Sequence, residues 1–204
     1  MFKAVKFGTR HAHRIVDAEL RARALGTIPS DVLDRHPVPI TDHNRDQVSL
    51  GDYKCSLLPR GRRALLTLFR HRGKKFCVLV SENDILLVSI SISSAYSEKG
   101  LVLEGFLCKG VDTGVMTLQL TDTLVVNGTP LDGVPYEWRK LISHVFATIK
   151  IKPLETDSLV VEVTPDVEKA DLGRLMRAQQ RILLHPRIET FEQQRKTGSY
   201  LVLE

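Results

Sequence analysis

The sequence has no long apolar run, few cysteines and no internal repeats. None of its apolar stretches approaches the roughly 20 residues that a membrane-spanning helix requires. The three cysteines, Cys55, Cys77 and Cys108, lie in apolar, strand-like runs without CxxC spacing. This predicts buried reduced thiols rather than disulfides or a metal site. Together these absences favour a globular domain over a membrane-spanning, fibrous or disulfide-stapled protein.

The side chains that would signal a metal site or a hydrolytic triad are scattered. His11 and His13 stand close together, but His71 and His144 are isolated. None of them has cysteine or carboxylate partners at metal-ligand spacing. No Ser-His-Asp arrangement is indicated either. We therefore expect no metal ion and no cofactor.

The charge balance is mildly basic. The 204 residues carry 29 Lys and Arg against 24 Asp and Glu, a formal net charge of +5. This excess permits a phosphate-bearing partner and is equally compatible with a solvated basic surface. Residues 1–14 contain no acid, which resembles the start of an organelle-targeting segment, with a basic arm or strand as the alternative. We expect the protein in the nucleus or cytoplasm, with the mitochondrion as the alternative.

Short runs rich in Val, Ile and Leu, bounded by turn residues, predict an antiparallel sheet. The predicted strands are Tyr53–Leu58, Arg63–Arg70, Lys75–Val80, Ile85–Ser91, Leu101–Lys109, Val115–Val126, Ala147–Ile151, Ser158–Val163 and Ser199–Leu203. Helices are predicted at Ile15–Leu25, at Val134–Phe146 and from Thr164 to about Leu184, with an extended connector at 26–41. The fold class is α+β, with strongly bent antiparallel sheets and flanking helices. Residues 1–36 are expected to form a basic arm with a helix and connector, and residues 37–204 the main domain.

Three motifs follow one another in a fixed order. The first combines "HPVPITDHN" (36–44) with "DYKCSLLPRGRRALL" (52–66). The second is "GLVLEGFLCK" (100–109), and the third is "LQLTDTLVVNGTPLDGVPYEWRKLI" (118–142). This ordered set resembles the covalent nucleotidyltransferase superfamily, and within it the messenger-RNA capping guanylyltransferases and the cap-binding domain of snurportin. The resemblance covers 37–152. It implies a nucleotidyltransferase or RNA-ligase-like core that is truncated at its C-terminal end.

The chain departs from this family at two chemically necessary positions. Leu58 stands where the family has its nucleophilic lysine, and leucine has no nitrogen to form a lysyl-nucleotide. Phe106 replaces the second carboxylate of the motif that begins at Glu104. Lys54 lies about 13 Å from position 58 along a strand and cannot fill the same pocket. From these departures we expect that the protein is not an enzyme, and an enzyme with a different nucleophile is the distant alternative.

The turn "LLPRGRRALL" resembles the corresponding turn of snurportin, which also lacks the lysine and holds a methylated guanosine cap. A tight glycine turn lets backbone amides approach phosphate oxygens, and arginine forks match phosphates. The alternative for the arginines is a solvated turn. The alternative for Lys152 is a lysine at a strand edge, where it discourages aggregation. The expected ligand-binding residues are Leu58, Arg60, Gly61, Arg63, Glu104 and Lys152.

Asp122 and Trp138 each have a functional and a structural explanation. Asp122 matches an aspartate of the family's third motif, with a turn or cap partner as the alternative. Trp138 recurs at helical spacing with apolar residues, so we expect it in the core rather than stacked on a cap. A cap site needs a stacking aromatic ring. The candidates for that ring are Tyr53, Tyr96, Phe106 and Tyr200.

These observations lead to two hypotheses about function. The first is a non-catalytic module that binds a nucleotide or an RNA 5′ cap. The alternative is a structural RNA-associated subunit of a larger ribonucleoprotein complex, in which the fold is reused without binding a nucleotide. The expected partners are RNA or capped RNA 5′ ends and protein subunits of a ribonucleoprotein or transport complex, and no membrane.

Overall fold

The structure, a computed structural model, describes residues 2–33, 36–40, 53–90, 99–148, 157–186 and 199–203. The strands are β1 Phe2–Phe7, β2 Arg10–Ile15, β3 His36–Pro39, β4 Tyr53–Leu57, β5 Arg62–His71, β6 Lys74–Ser81, β7 Ile85–Leu87, β8 Leu101–Lys109, β9 Met116–Val126, β10 Thr129–Pro130, β11 Val160–Val163, β12 Asp166–Val167, β13 Ile182–Pro186 and β14 Ser199–Leu203. The helices are α1 Ala18–Leu25, α2 Ser30–Leu33, α3 Tyr136–Thr148 and α4 Leu172–Arg177. None of the described helices is long and apolar enough to cross a membrane.

The strands form two sheets. In the larger sheet the order is β1-β2-β7-β6-β5-β8-β9-β10, and β11 adds to β9 in parallel. In the smaller sheet the order is β12-β4-β13-β14-β3, with β14 and β3 parallel. The other pairings are antiparallel. This predominance of antiparallel strands with few helices is consistent with the expected α+β class.

The larger sheet buries apolar side chains on both faces. On one face, α1 and α2 pack against β5, β6 and β8 through residues such as Leu20, Val32 and Leu65. On the other face, Phe7 and Ala12 of the β1–β2 hairpin join a core with residues of β8, β9 and β11. Alternate side chains of one strand therefore serve two separate cores, which explains the near-continuous apolar runs in the sequence.

Several predicted elements are confirmed. β8 spans the predicted Leu101–Lys109, and β14 the predicted Ser199–Leu203. Helix α1 ends at the predicted Leu25, and at its start the Asp17 carboxylate accepts a hydrogen bond from the amide of Leu20 at 2.9 Å. The turn after β9 has positive φ at both Asn127 and Gly128, as a two-residue hairpin turn requires.

The predicted helix from Thr164 to Leu184 is wrong. That segment contains β12, a 3₁₀ turn at Lys169–Asp171, the short α4 and β13. Gln179 has a φ of 55°, which ends the helical path. The apolar run from Ile182 then pairs with β4 and β14 and is buried in the smaller sheet, so tertiary pairing outweighs the helix-favouring composition.

Two smaller expectations also differ from the structure. The connector at 26–41 contains a helical turn, α2, which begins after Pro29, because proline is well suited to the start of a helix. Residues 147 and 148, expected to begin a strand, belong to the last turn of α3. The rest of that predicted strand lies outside the described residues. The division at residue 36 stays a prediction, although β1 and β2 belong to the larger sheet.

Gly105 allows β8 and β9 to approach closely at an irregular register. A Cβ atom at this position would lie 2.4 Å from the carbonyl oxygen of Gln119. The register between β8 and β9 shifts between Glu104 and Gly105, as in a β-bulge. Gly105 is therefore required by strand packing.

Replacing Gly105 with alanine tests this explanation. We expect Gly105→Ala to lower the free energy of unfolding by about 2 kcal/mol, because overpacking against a backbone atom forces both strands to shift. Gly133→Ala is the control, since an added Cβ there meets no atom within 4 Å. Denaturant unfolding followed by circular dichroism measures both, and equal midpoints for the two variants would contradict the explanation.

Candidate functional site

Arg63, at the start of β5, forms a buried ion pair with Glu104 of β8. Its Nε and Nη2 atoms lie 2.7 and 2.5 Å from Oε1 of Glu104, whose side chain is 1% exposed. The same guanidinium donates to the carbonyl oxygens of Val32 at 2.6 Å and Leu33 at 3.3 Å. These carbonyls close α2, where no intrahelical donor is available. Arg63 therefore joins two strands to a helix end.

A second buried ion pair lies beside the first. Asp122 is the register partner of Glu104 on β9, and both of its carboxylate oxygens accept from Arg139 of α3 at 2.9 Å. Two neighbouring carboxylates are thus each neutralised by their own arginine. Oε2 of Glu104 is buried without a hydrogen-bond partner among the described residues. The expected family aspartate, Asp122, is occupied by α3.

The space between the two sheets beside Arg63 is filled by apolar side chains. Phe106, Leu183 and Val202 form a buried cluster, and Leu58 and Cys108 pack against it. Leu58 also donates its amide to the carbonyl of Arg181 at 2.8 Å, which continues the pairing of β4 with β13 beyond the two strands. Leu58 and Phe106 therefore belong to the same apolar contact between the sheets.

Gly61 is required by the approach of its turn to β8. A Cβ atom there would lie 2.5 Å from the carbonyl oxygen of Leu107 and 2.7 Å from Sγ of Cys108. Its amide donates to the carbonyl of Pro59 at 2.9 Å. The side chains of Arg60 and Arg62, on either side of it, are exposed. The turn thus points its charges outward. Lys152 lies outside the described residues.

A groove of about 650 Å³ begins at this turn. It runs between the helices α1 and α2 and the turn that joins β6 to β7. Four arginines stand on its wall. Its lining comprises Arg14, Arg21, Leu25, Leu33, Arg62, Arg63, Ala64, Leu65, Val80, Ser81, Glu82, Asn83, Asp84 and Ile85.

The groove carries an excess of positive charge, because four arginines line it against the two carboxylates of Glu82 and Asp84. Arg14 forms an ion pair with Asp84 at 2.5 Å, and Arg63 is held by Glu104. Arg21 and Arg62 are exposed and form no ion pair within the part of the chain that the structure describes. Two free guanidinium groups that line one groove can bind phosphate oxygens by charge-assisted hydrogen bonds. The volume lies in the range of small-ligand sites.

The arginines contributed by the N-terminal segment were not expected at the site. Arg14 is the next-to-last residue of β2 and Arg21 lies on α1, about forty residues before the turn. The helical spacing of Arg21 and Leu25 indicates that they share a face of α1. Tertiary packing, and not the helical spacing, determines which strands lie next to that face. Within the described residues, no group of three His, Cys, Asp or Glu side chains is placed to hold a metal ion.

The expectation that Trp138 lies in the core is wrong. Its side chain on α3 is 62% exposed, and Leu141 and Val145 beside it are also exposed. The helix instead buries Tyr136 and Phe146, together with the charged side chain of Arg139. Helix α3 has apolar residues on two faces. The ion pair between Arg139 and Asp122 determines which face packs inward.

A buried polar cluster joins α3 to the smaller sheet. The ring of Tyr136 stacks on that of His185 with centroids 4.1 Å apart, and Nε2 of His185 lies 2.9 Å from Oγ of Ser56. Lys140 of α3 pairs with Asp166 of β12. Burial, followed by repulsion from Lys140 and Arg139, holds the pKa of His185 well below its ordinary value. The contact between α3 and the smaller sheet therefore contains a neutral histidine.

The low pKa of His185 predicts acid sensitivity. The unfolded chain binds a proton at this histidine near pH 6.5, whereas the folded chain does not. The free energy of unfolding should therefore fall below pH 6.5, by about 1.4 kcal/mol per pH unit for this one proton. His185→Gln should give a shallower decline between pH 6.5 and 5. Denaturant midpoints across that range measure it, and parallel curves for the two proteins would contradict the assignment.

The ion pair of Arg63 predicts a difference between two adjacent arginines. Arg63→Ala leaves Glu104 buried without its cation, which should cost about 3 kcal/mol or more of the free energy of unfolding. Arg62→Ala removes an exposed side chain and should leave stability nearly unchanged. Thermal melts of the two variants decide the point. Similar melting temperatures would mean that Arg63 has no structural role.

Comparison with known proteins places the chain near DNA ligases. No family model and no curated protein matches it. Similar solved structures include a mycobacterial DNA ligase D complexed with ATP and MES, at 13% identity and a TM-score of 0.47, covering 87% of this chain and 62% of that chain. The ligase domain of LigD from M. tuberculosis shows 14% identity, a TM-score of 0.45 and coverage of 79% and 56%. A Lig E DNA ligase shows 11%, 0.43 and coverage of 77% and 63%.

These neighbours correct one expectation. The chain was expected not to be an enzyme, whereas the solved structures that it is similar to are ligase domains with nucleotidyltransferase-superfamily folds. A leucine at position 58 excludes a lysyl-nucleotide at that position and does not exclude other chemistry. The chain spans less than two thirds of the length of each of these structures, and no residue role is transferred from them.

Proposed function

We propose that this protein binds RNA through the phosphates of a nucleotide held in the arginine groove. The observation that carries the proposal is the pair of exposed guanidinium groups of Arg21 and Arg62, both of which line a groove of about 650 Å³. Arginine binds phosphate with two parallel hydrogen bonds, and a concave wall brings several such groups to one ligand. The resemblance of the motifs to capping enzymes and snurportin supports a nucleotide as the ligand class.

The groove suits a phosphate better than the space between the sheets does. The latter is filled by the cluster of Phe106, Leu183 and Val202, with Leu58 against it. A ligand there would have to displace buried apolar side chains from their core, which is costly. The groove, in contrast, is open and lined by polar groups of the β6–β7 turn. Ser81 and Asn83 there offer hydrogen bonds to a base or a ribose.

One observation favours a second candidate, a nucleoside or cap bound beside Glu104. Oε2 of Glu104 is buried without a hydrogen-bond partner in the described part of the chain, and a buried unpaired acceptor is costly. A ribose hydroxyl of a ligand would satisfy it. Binding in this place requires Phe106 to move, whereas binding in the groove requires no such movement. The two candidates therefore differ in which substitutions weaken binding.

The groove predicts a difference between two arginines of the same helix. Arg21→Ala and Arg62→Ala should each weaken binding of a 5′-phosphorylated RNA by about tenfold, because each removes a charge-assisted contact. Arg23→Ala, an exposed arginine of α1 that does not line the groove, should bind as the unmodified protein does. Fluorescence anisotropy of labelled RNA measures the affinities, with capped RNA and GTP as competitors.

The possible results separate the candidates. Equal affinities for Arg21→Ala, Arg62→Ala and Arg23→Ala would contradict the groove. Selective loss of capped-RNA binding on Phe106→Trp would support the place beside Glu104. Salt-sensitive RNA binding without competition by GTP or cap would favour the RNA-associated subunit of a ribonucleoprotein complex.

A further inference from the structure

The loop that follows α4 lies beside the turn that precedes β5. The amide of Leu58 donates to the carbonyl oxygen of Arg181 at 2.8 Å, which continues the pairing of β4 with β13. The Gly61 turn (58–62), which leads into the larger sheet, and the α4 loop (178–181), which leads into the smaller sheet, therefore begin side by side at this bond.

Both of the segments that meet here are basic and contain no acid. Residues 53–81 carry eight Lys and Arg, residues 172–186 carry three Arg, and neither segment has an Asp or Glu. Arg60 in the Gly61 turn is exposed and forms no ion pair with any residue that the structure describes. Because Gly61 packs against β8, its two neighbours in the chain turn their side chains outward. The surface at this contact is therefore positively charged by its own residues.

Gln179 in the α4 loop occupies a backbone position that favours glycine. Its φ is 55°, in the left-handed region, just after α4 ends at Arg177. The amide of Gln179 donates to the carbonyl oxygen of Met176 at 2.9 Å, and that of Gln180 to Leu175 at 3.0 Å. This is the hydrogen-bond pattern of a Schellman motif, in which the left-handed residue is usually glycine. A side chain with a Cβ atom is strained there, so the glutamine lowers stability.

No contact among the described residues explains why this position is a glutamine. The side chain of Gln179 is exposed and forms no hydrogen bond with another described residue. A bulky residue at a strained backbone position points to a use for its side chain. The carboxamide offers two donors and an acceptor, which are the groups that contact the edges of unpaired bases.

This surface suits a nucleic-acid strand better than a protein or a membrane. The exposed side chains of the two loops are those of Arg60, Arg62, Ala178, Gln179 and Arg181, and none of them is a large apolar group. Protein interfaces are centred on apolar or aromatic anchors, and membrane surfaces are bound by apolar side chains that insert. A phosphate backbone, in contrast, is bound by cations, while polar side chains contact the bases.

The Gly61 turn connects this surface with the arginine groove. Arg62 lines the groove, whereas Arg60 does not. The two residues are separated by Gly61 alone, so their Cα atoms are at most about 7 Å apart. Two guanidinium groups this close can contact successive phosphates of one strand. A strand that leaves the groove at Arg62 therefore meets Arg60 and then the α4 loop.

We infer that an RNA strand whose nucleotide occupies the groove leaves it across the Gly61 turn and is bound by the α4 loop. Arg60 contacts the next phosphate of the strand, and Gln179 contacts the edge of a base. This inference rests on the proposed function, because the groove holds the nucleotide from which the strand extends, but it concerns residues that do not line the groove. A mononucleotide occupies the groove alone, whereas an RNA of several nucleotides reaches both places.

The test measures how variants of the whole chain bind GTP and a labelled, 5′-phosphorylated uridine RNA of about ten nucleotides. Gln179→Gly should weaken RNA binding about fivefold through the loss of a hydrogen-bonded contact. Its melting temperature should rise by about 2–4 °C, because glycine relieves the left-handed position. Arg60→Ala should weaken RNA binding about tenfold and reduce the slope of log K against log salt by about 0.7, the value for one phosphate on a single strand. Neither variant should change the affinity for GTP.

Each variant has a matched control. Arg72→Gly, at the tip of the β5–β6 hairpin, also replaces an exposed residue that has a positive φ, here 49°, with glycine. Arg23→Ala removes an exposed arginine of α1. Both controls should bind the RNA as the unmodified protein does. Because Arg72→Gly removes a cation and Gln179→Gly does not, a general effect of net charge would weaken the control more.

The outcomes distinguish the α4 loop from the groove. If Gln179→Gly and Arg60→Ala bind the RNA as their controls do, the inference is overturned. If GTP does not bind while both variants still lose RNA affinity, the groove fails and the RNA contact at the α4 loop stands. A lower melting temperature for Gln179→Gly would make the glutamine structural and overturn its assignment. Binding of polyglutamate that is lost in Arg60→Ala, with RNA binding unchanged, would assign the surface to an acidic protein and overturn the inference.

Discussion

The buried ion pair between Arg63 and Glu104 is the constraint on which the site depends. A carboxylate that is almost wholly buried requires a cation beside it, and Arg63 supplies that cation from the adjacent strand. Because the same guanidinium also holds the carbonyls of Val32 and Leu33, it fixes the end of α2 against the sheet. One wall of the arginine groove is thus set by an interaction that leaves this arginine little freedom to bind a ligand.

Several residues of the sequence motifs have structural roles. Leu58 and Phe106 belong to the apolar contact between the sheets. Gly61 and Gly105 permit close approach of backbones. Of the two arginines without an ion pair, Arg21 lies outside the motifs and Arg62 lies within the turn. The groove therefore draws its charge from β2 and α1 as well as from the turn.

Local patterns in the sequence predicted much of the larger sheet. Strand β8 and the Asn127–Gly128 turn follow from alternation and from residues that tolerate positive φ. The failures occurred where tertiary partners decide. The run from Ile182 has helix-favouring neighbours but pairs with β4 and β14, and Trp138 is exposed because Arg139 turns inward to Asp122. The groove itself was not predictable, because Arg14 and Arg21 meet the turn only after folding.

The most direct test of the central claim is a map of where a bound RNA touches the protein. A 5′-phosphorylated RNA with 4-thiouridine near its 5′ end can be photocrosslinked to the purified chain, and the modified peptides identified by mass spectrometry. We expect crosslinks within 14–25, at Leu33, and within 62–65 and 80–85, where the groove-lining residues lie. Crosslinks concentrated at 104–108 and 182–186, between the two sheets, would contradict it.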